Sequence, residues 1–261
     1  MKVCEKDLEK VCEFQKEKDK FYLLSLIATD VNSLLYSDLE NYIVGRSEIG
    51  YPTWIWTKNG ISSDKYMELK FVLEEFLVNG KNEFTCKREL YDLLSRDYPS
   101  SDFFEMGFLT CHKLIKPKFL SGIFVLPNYA DKVTLAEYFR EYDKEIFDRN
   151  TKSQREALEE VEVFLREKRI YVLKNSSLEI VSMAGFSTLN DLAKITYVYT
   201  PKEERRKGYC QSLIYQLSKK LMDDGYLPLL YTDYHYLASN RAYQSVGYEE
   251  KGVLINFVIE R

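Results

Sequence analysis

Apolar and polar positions along this chain switch repeatedly between a period of two and a period near 3.6. In the C-terminal half, Gly122–Leu126, Ile170–Leu173, Glu179–Ala184 and Ala193–Thr200 read as strands, rich in β-branched and aromatic residues. Asn175-Ser176-Ser177 between the second and third of these is a hairpin signature. Leu135–Phe147 and Ser153–Lys168 read as helices, the second carrying Leu158, Val161, Phe164 and Leu165 on one side. After Thr200 come a helix over Arg206–Asp223, a strand over Leu229–Thr232, a short helix over Asn240–Ser245 and a last strand over Val253–Ile259.

The N-terminal half alternates in the same manner. Residues 1–40 read as helical through Leu8, Val11 and Cys12 and then Leu23, Leu26 and Ile27, with Asp19 as the expected N-cap of the second run. Asn41–Val44 and Thr53–Thr57 are expected strands with Gly50 in the turn between them. Trp54 and Trp56, two apart, share a face and read as core rather than pocket. Helices are expected over Ser63–Asn79, with Met67, Phe71, Val72 and Phe76 inward and Gly80 as the stop, and over Lys87–Tyr98. Phe103–Leu114 is an expected strand. Both halves are thus α/β with a mixed sheet. The charged, Pro-containing bridge Lys116-Pro117-Lys118 divides them into 1–116 and 117–261.

One stretch carries chemistry. Val198-Tyr199-Thr200 ends a strand at Pro201, which cannot donate to a ladder. Arg205-Arg206-Lys207-Gly208 follows, and then a helix with Cys210, Leu213, Ile214, Leu217 and Leu221 on one face. A helix start offers unpaired N–H donors and the positive end of the dipole, a glycine permits close backbone approach, and adjacent cations add charge. Such a turn suits a phosphate or pyrophosphate. The absence of Gly-Lys-Ser/Thr excludes a Walker-type loop.

Arg205-x-x-Gly208-x-Cys210 resembles the Arg/Gln-x-x-Gly-x-Gly/Ala acetyl-CoA loop of the GNAT superfamily of N-acetyltransferases, with Cys210 where that family usually has Gly or Ala. Ser239-Asn240-x-x-Tyr243 followed by Gly247-Tyr248 is similar to the family's second signature. The resemblance covers about the last 140 residues. It implies a GNAT-like acyl-CoA-binding fold there, with the N-terminal half a worn copy lacking the cofactor site. It also implies acetyl-CoA as co-substrate and a small-molecule or peptide amine as acceptor. Arg205, Arg206, Lys207, Gly208, Tyr209, Cys210 and Gln211 would hold the pyrophosphate, and the backbone of Val198, Tyr199 and Thr200 the pantetheine arm. Asn240 would contact the cofactor, and Tyr243 would serve as acid to the leaving thiolate. Several members carry a base Glu four residues before the position matching Val198, where this chain has Lys194. Asp191, Glu179, Asp233 and His235 remain as bases without a geometric argument, and none is chosen. Two rivals stand beside transfer: a non-catalytic acyl-CoA-binding or regulatory module, and a nucleotide-binding turn.

Composition narrows the partners. A net charge of −4 argues against nucleic acid. Five cysteines at irregular spacing and two histidines assemble no zinc pattern, so no metal is expected and the cysteines read as free buried thiols of a reducing compartment. No run of eighteen apolar residues and no apolar leader occur, which predicts a cytoplasmic protein without a membrane partner.

Overall fold

The computed structural model describes residues 1–100, 102–147 and 152–261. In chain order the elements are α1 (Glu5–Leu8), α2 (Cys12–Gln15), α3 (Tyr22–Thr29), β1 (Leu34–Ser37), β2 (Tyr42–Arg46), β3 (Thr53–Thr57), α4 (Ser63–Leu73), β4 (Lys81–Lys87), α5 (Arg88–Asp97) and β5 (Asp102–Thr110). They continue with β6 (Ile123–Val125), α6 (Lys132–Phe147), α7 (Gln154–Arg166), β7 (Ile170–Lys174), β8 (Ile180–Leu189), β9 (Leu192–Tyr199), α8 (Tyr209–Asp223), β10 (Leu227–Asp233), α9 (Leu237–Ser245) and β11 (Glu249–Glu260). Among the described residues no helix is long and apolar enough to cross a membrane.

Two compact units result, one of residues 1–108, 232–235 and 251–261, the other of 109–231 and 236–250. They are not contiguous halves. The expected break at 116/117 follows the polar bridge, whereas residues 251–261 of the last strand pair with β4 of the first unit, Ile255 opposite Cys86 and Phe257 opposite Phe84. A long-range pairing of this kind leaves no mark on local composition.

Within the first unit β1, β2 and β3 form an antiparallel meander, α4 crosses over, and β4 lies parallel to β3. Within the second, β7, β8 and β9 form the same meander, α8 crosses over, and β10 lies parallel to β9. The two units therefore repeat one topology. Parallel neighbours require such a crossover, since a tight turn can join only antiparallel strands.

Several expectations in the first unit are corrected. Leu34–Ser37 is a strand, not the end of a helical region. Asp19 caps no helix: its carboxylate accepts from the Lys20 amide, and Phe21 holds the N-cap position of α3. α4 stops at Leu73, and its buried residues are Leu69, Val72 and Leu73, while Met67 and Phe71 face solvent. Val72 and Phe76 are inward as expected, so the apolar stripe was read about one residue off in register. Lys81–Lys87, left without an element by the sequence, is a strand. Trp54 and Trp56 are core, packed edge-on against Phe21 and Phe14. All five cysteines are free; Cys86 and Cys111 are buried, Cys210 is half-buried, and Cys4 and Cys12 are exposed.

The feature that shapes the second unit is one extra residue on β9. Gly185 of β8 faces Thr196 and Met183 faces Tyr199, so two steps on β8 oppose three on β9. Tyr197 takes up the difference at φ +50°, unusual for a residue with a side chain. The burial pattern records the slip: Ala193 and Ile195 pack with the α8 layer, as does Val198, while Tyr197 and Tyr199 pack with α6 and α7.

Tyr197 is held firmly in that strained position. Its ring stacks on Phe139 at 4.2 Å and 10°, with Phe164 edge-on at 5.6 Å. Its hydroxyl donates to Glu160 at 2.6 Å and accepts from Lys152 at 2.9 Å. Lys152 also bridges Glu160 and Asp143, at 2.6 and 3.1 Å. Burial pulls the Lys152 ammonium down, but these carboxylates hold it above its ordinary value, and burial raises Asp143. Deleting the hydroxyl leaves half-buried partners of a closed network short of one hydrogen bond each. Tyr197→Phe is expected to cost about 1–3 kcal/mol, read as a lower midpoint in urea denaturation with the slope unchanged.

Candidate functional site

β9 and β10 are paired in register only from Leu192↔Leu227 to Lys194↔Leu229. Beyond that point β9 runs on to Tyr199 and β10 to Asp233 with no further register pairs between them among the described residues. The extra residue at Tyr197 lies within the stretch of β9 that has left this pairing and heads into the charged turn. A parting of parallel strands leaves the main-chain groups of β9 that point toward β10 without a strand partner on that side.

The structure places the three strand residues differently by side chain. Tyr199 is buried against Tyr138 and donates to Glu141, so its ring belongs to the α6–α7 layer. The Thr200 hydroxyl is shared with Ser182 at 2.8 Å, and Val198 packs against the α8 layer.

After Pro201 a single 3-10 turn, Lys202–Glu204, leads to the basic residues. Arg206 is exposed with φ +64°, and Gly208 is the N-cap of α8 with φ +79°. A glycine is required at the second of these for conformation rather than space: a Cβ there would meet only the Ser121 hydroxyl, at 3.6 Å. No side chain caps α8, in contrast to α4, where Ser62 accepts from Lys65, and α7, where Ser153 and Glu156 form a capping box. The first amides of α8, on Tyr209, Cys210 and Gln211, thus begin a 15-residue helix without an internal side-chain acceptor. That is the local signature of an anion site.

The three cations do unlike things. Arg205 makes a bidentate pair with Glu145 at 2.7 and 2.6 Å, and its Nε donates to the Thr200 carbonyl at 2.9 Å. Its guanidinium is a brace joining α6 to the turn. Lys207 pairs with Glu204 at 3.0 Å and stays exposed, and its carbonyl accepts from Ser121. Arg206, at the outside of the turn, is the cation best placed to meet an incoming anion.

α9 completes the site. Gln211 donates to the Ser245 hydroxyl at 2.7 Å, tying the start of α8 to the end of α9. Tyr243 is buried in the same core as Cys210, 6.1 Å from the ring of Tyr248, and Asn240 lies half-buried one turn earlier on the same helix. Burial drives the Tyr243 phenol well above its ordinary value, with Cys210 and then Tyr142 of α6 adding to the shift. Tyr243 belongs to the α8 side of β9, yet the influence of Tyr142 reaches it from the α6 side. Burial likewise pushes the Cys210 thiol up to about 11, so this cysteine is a neutral packing group and not a nucleophile. Gly247, at φ +104°, lets the chain after α9 lie against the Lys113 carbonyl, which a Cβ would meet at 2.2 Å.

The corresponding positions of the first unit are filled from within. Where β3 leads into α4, the Gly60 amide donates to the Glu89 carboxylate at 2.9 Å, and Ser62 caps the helix. At the end of β4, Lys87 pairs with Glu17 at 2.5 Å and with Asn59 at 2.7 Å, and Trp56 donates to the same Glu17. The first unit also holds a group that sequence reasoning left without geometry. His235 Nε2 lies 3.0 Å from Glu105, whose other oxygen binds Arg88. Glu105 and Arg88 are 130 and 147 positions away, beyond any spacing rule. Among the described residues no group of three His, Cys, Asp or Glu side chains is placed to hold a metal.

Comparison with known proteins follows the geometry. Residues 175–255 match the family model of FR47-like protein. No curated protein matches the chain. Among solved structures it is similar to a GNAT-family acetyltransferase from Colwellia psychrerythraea, at 10% identity and TM-score 0.60 over 95% of this chain and 97% of the other. A GCN5-related N-acetyltransferase from Sphaerobacter thermophilus aligns at 12% identity and TM-score 0.61, over 86% and 82%. A Drosophila protein aligns over 100% and 98% at 10% identity, with TM-score 0.70. At such identities the likeness is one of fold.

The differing roles of the two arginines can be separated in the protein without ligand. Arg205→Ala removes a half-buried bidentate pair and a backbone contact and is expected to cost about 1–2 kcal/mol in urea denaturation. Arg206→Ala is expected to stay within about 0.5 kcal/mol of wild type.

Proposed function

We propose that this chain, similar in fold to GNAT-family acetyltransferases and matching the FR47-like family model over residues 175–255, transfers an acetyl group from acetyl-CoA to an amine. The observation that carries the reading is the coincidence of two features in one unit: strands β9 and β10 part after Lys194↔Leu229, and β9 then leads through the basic turn into the uncapped start of α8 at Gly208. An extended arm ending in a pyrophosphate needs both, main-chain groups along its length and an anion site at its end.

On this reading Gly208–Gln211 hold the pyrophosphate through main-chain N–H groups, with Arg206 and Lys207 adding charge. Arg205 acts at one remove, fixing the turn through Glu145 and Thr200. Val198–Thr200 align the pantetheine, which sets the thioester at the opening between the strands. Direct transfer then needs the amine nitrogen at the carbonyl and stabilisation of the departing thiolate. Tyr243 is suited to the latter. Its raised pKa makes it a strong holder of its proton, so its main contribution is a hydrogen bond to the developing thiolate. Because a CoA thiolate leaves readily, that help is modest.

The first unit has the topology without the vacancies: Glu89 occupies the amide of Gly60, and Glu17, Lys87 and Trp56 close on one another. A single cofactor per chain is therefore expected in calorimetric titration, and a stoichiometry of two would overturn this account. Gly208→Val and Arg206→Ala should each weaken acetyl-CoA binding by about 1–3 kcal/mol, the range of charge-assisted contacts.

The reaction itself is tested by thiol release with a panel of primary amines. Tyr243→Phe keeps the ring and is expected to lower turnover by about 100-fold or less while leaving the acetyl-CoA Kd nearly unchanged. Asn240→Ala should raise Kd more than it lowers turnover. Wild-type protein that binds acetyl-CoA and releases no thiol with any amine would make the chain an acyl-CoA-binding module instead.

A further inference from the structure

We infer that the segment 113–121 holds the far end of the cofactor, with Lys116 and Lys118 on the 3′-phosphate of its adenosine and Phe119 against the adenine. The inference rests on the acetyl-CoA reading above and extends it past the pyrophosphate to the nucleotide.

Hydrogen bonds within the second unit fix where this segment runs. The Cys111 amide donates to the Pro228 carbonyl at 3.0 Å, and the Ile115 amide to the Val246 carbonyl at 3.0 Å, just after α9. At the other end the Ser121 amide donates to the Ser212 hydroxyl at 2.9 Å, and the Ser121 hydroxyl to the Lys207 carbonyl at 3.2 Å. The same hydroxyl lies 3.6 Å from where a Cβ on Gly208 would stand. The segment therefore passes from the end of α9 to the start of α8, beside the amides assigned to the pyrophosphate. Two other sides of that helix start are tied by side-chain pairs, Arg205 with Glu145 of α6 and Gln211 with Ser245 of α9.

The charge of the segment is exceptional for this chain. No Asp or Glu occurs from Cys111 to Ala130, in a sequence that holds 41 of them. Among the described residues Lys113, Lys116 and Lys118 form no ion pair. Lys207, Lys219 and Lys220, in the turn and on α8, each have a carboxylate. Pro117 is buried between two exposed lysines, so Lys116 and Lys118 both point outward. A proline fixes its own φ and favours extended backbone in the residue before it, which sets the two ammonium groups on a stiff piece of chain.

Phe119 adds the second half of the recognition. It is 74% exposed, and the Lys118 ammonium lies over its ring at 5.4 Å. A ring so exposed contributes little to the core. Beside unpaired cations it offers the two things a phosphorylated purine nucleoside needs, a π-face and positive charge. Beyond its pyrophosphate CoA carries just such a group, an adenine and a phosphate monoester on the ribose. The monoester brings close to two negative charges and three acceptor oxygens. The helix start is already engaged by the pyrophosphate on this reading, so the monoester falls to side-chain cations.

The test compares acetyl-CoA with its 3′-dephospho form by calorimetry on the full chain. Wild type is expected to bind acetyl-CoA about 10-fold or more tightly than the dephospho form, a preference that shrinks as salt is raised. Lys116→Ala combined with Lys118→Ala should abolish the preference while changing the Kd of the dephospho form by less than about twofold. Phe119→Ala should weaken both forms by one common factor, about 5-fold or more, because the stacked base is present in each. All three side chains are exposed, and a wild-type urea midpoint checks that the variants are folded. Equal wild-type affinity for the two forms overturns the proposal. So does a preference that survives in the double lysine variant, whether or not Arg241→Ala on α9 then removes it. Wild type that binds neither form instead removes the acetyl-CoA reading itself, and the nucleotide site falls with it.

Discussion

One inserted residue sets which side chains of β9 face which layer of the second unit just before the basic turn. A β-strand with a strict period of two would carry Ala193, Ile195 and Tyr197 on one face and stay beside β10. The extra position at Tyr197 shifts the count, so that Val198 takes the place on the α8 side and Tyr199 turns to α6 and α7. Left-handed backbone at a tyrosine costs of order 1–3 kcal/mol and persists only where surroundings impose it. Here the surroundings are a ring stack on Phe139 and a half-buried network of Lys152, Glu160 and Asp143. The strain and the network that holds it lie on one side of the sheet, three residues past the last register pair of β9 with β10.

The same economy of roles runs through the basic turn. Arg205, Arg206 and Lys207 look interchangeable in sequence, three cations in a row. In space they divide into a brace on Glu145, an exposed charge, and a partner of Glu204. A bidentate guanidinium is well suited to the first role, because its planar fork fixes direction as well as distance. α8 then starts at a glycine whose positive φ forbids a capping side chain of the usual kind, which leaves the helix start open.

How much of this was legible in the sequence can be judged residue by residue. The turn from Val198 to Gln211 was legible, since strand, proline, charged glycine turn and amphipathic helix each leave a local mark. The order of elements after residue 120 was legible for the same reason. The bulge was not: Ile195–Thr200 is a continuous β-branched and aromatic run, and nothing in it marks the odd residue. Nor was the brace, because Glu145 lies 60 positions from Arg205. In the first unit β1 was hidden by brevity, four residues after an apolar helix, and the α4 stripe was misread because Met67 and Phe71 are apolar yet exposed.

The non-contiguous first unit bears on how this molecule is made. Asn256 donates to Thr85 inside the first unit, across 171 positions of chain, and Leu254, Ile255 and Phe257 are buried there. During synthesis, residues 1–108 emerge first with the place beside β4 unfilled, and the strand that fills it emerges only after the entire second unit. Closing so long a loop is entropically expensive and slow compared with the local pairings of either meander. Of the two units, the one begun earlier is thus the last to be finished. Until β11 arrives it presents the open edge of β4, the kind of edge that recruits foreign strands.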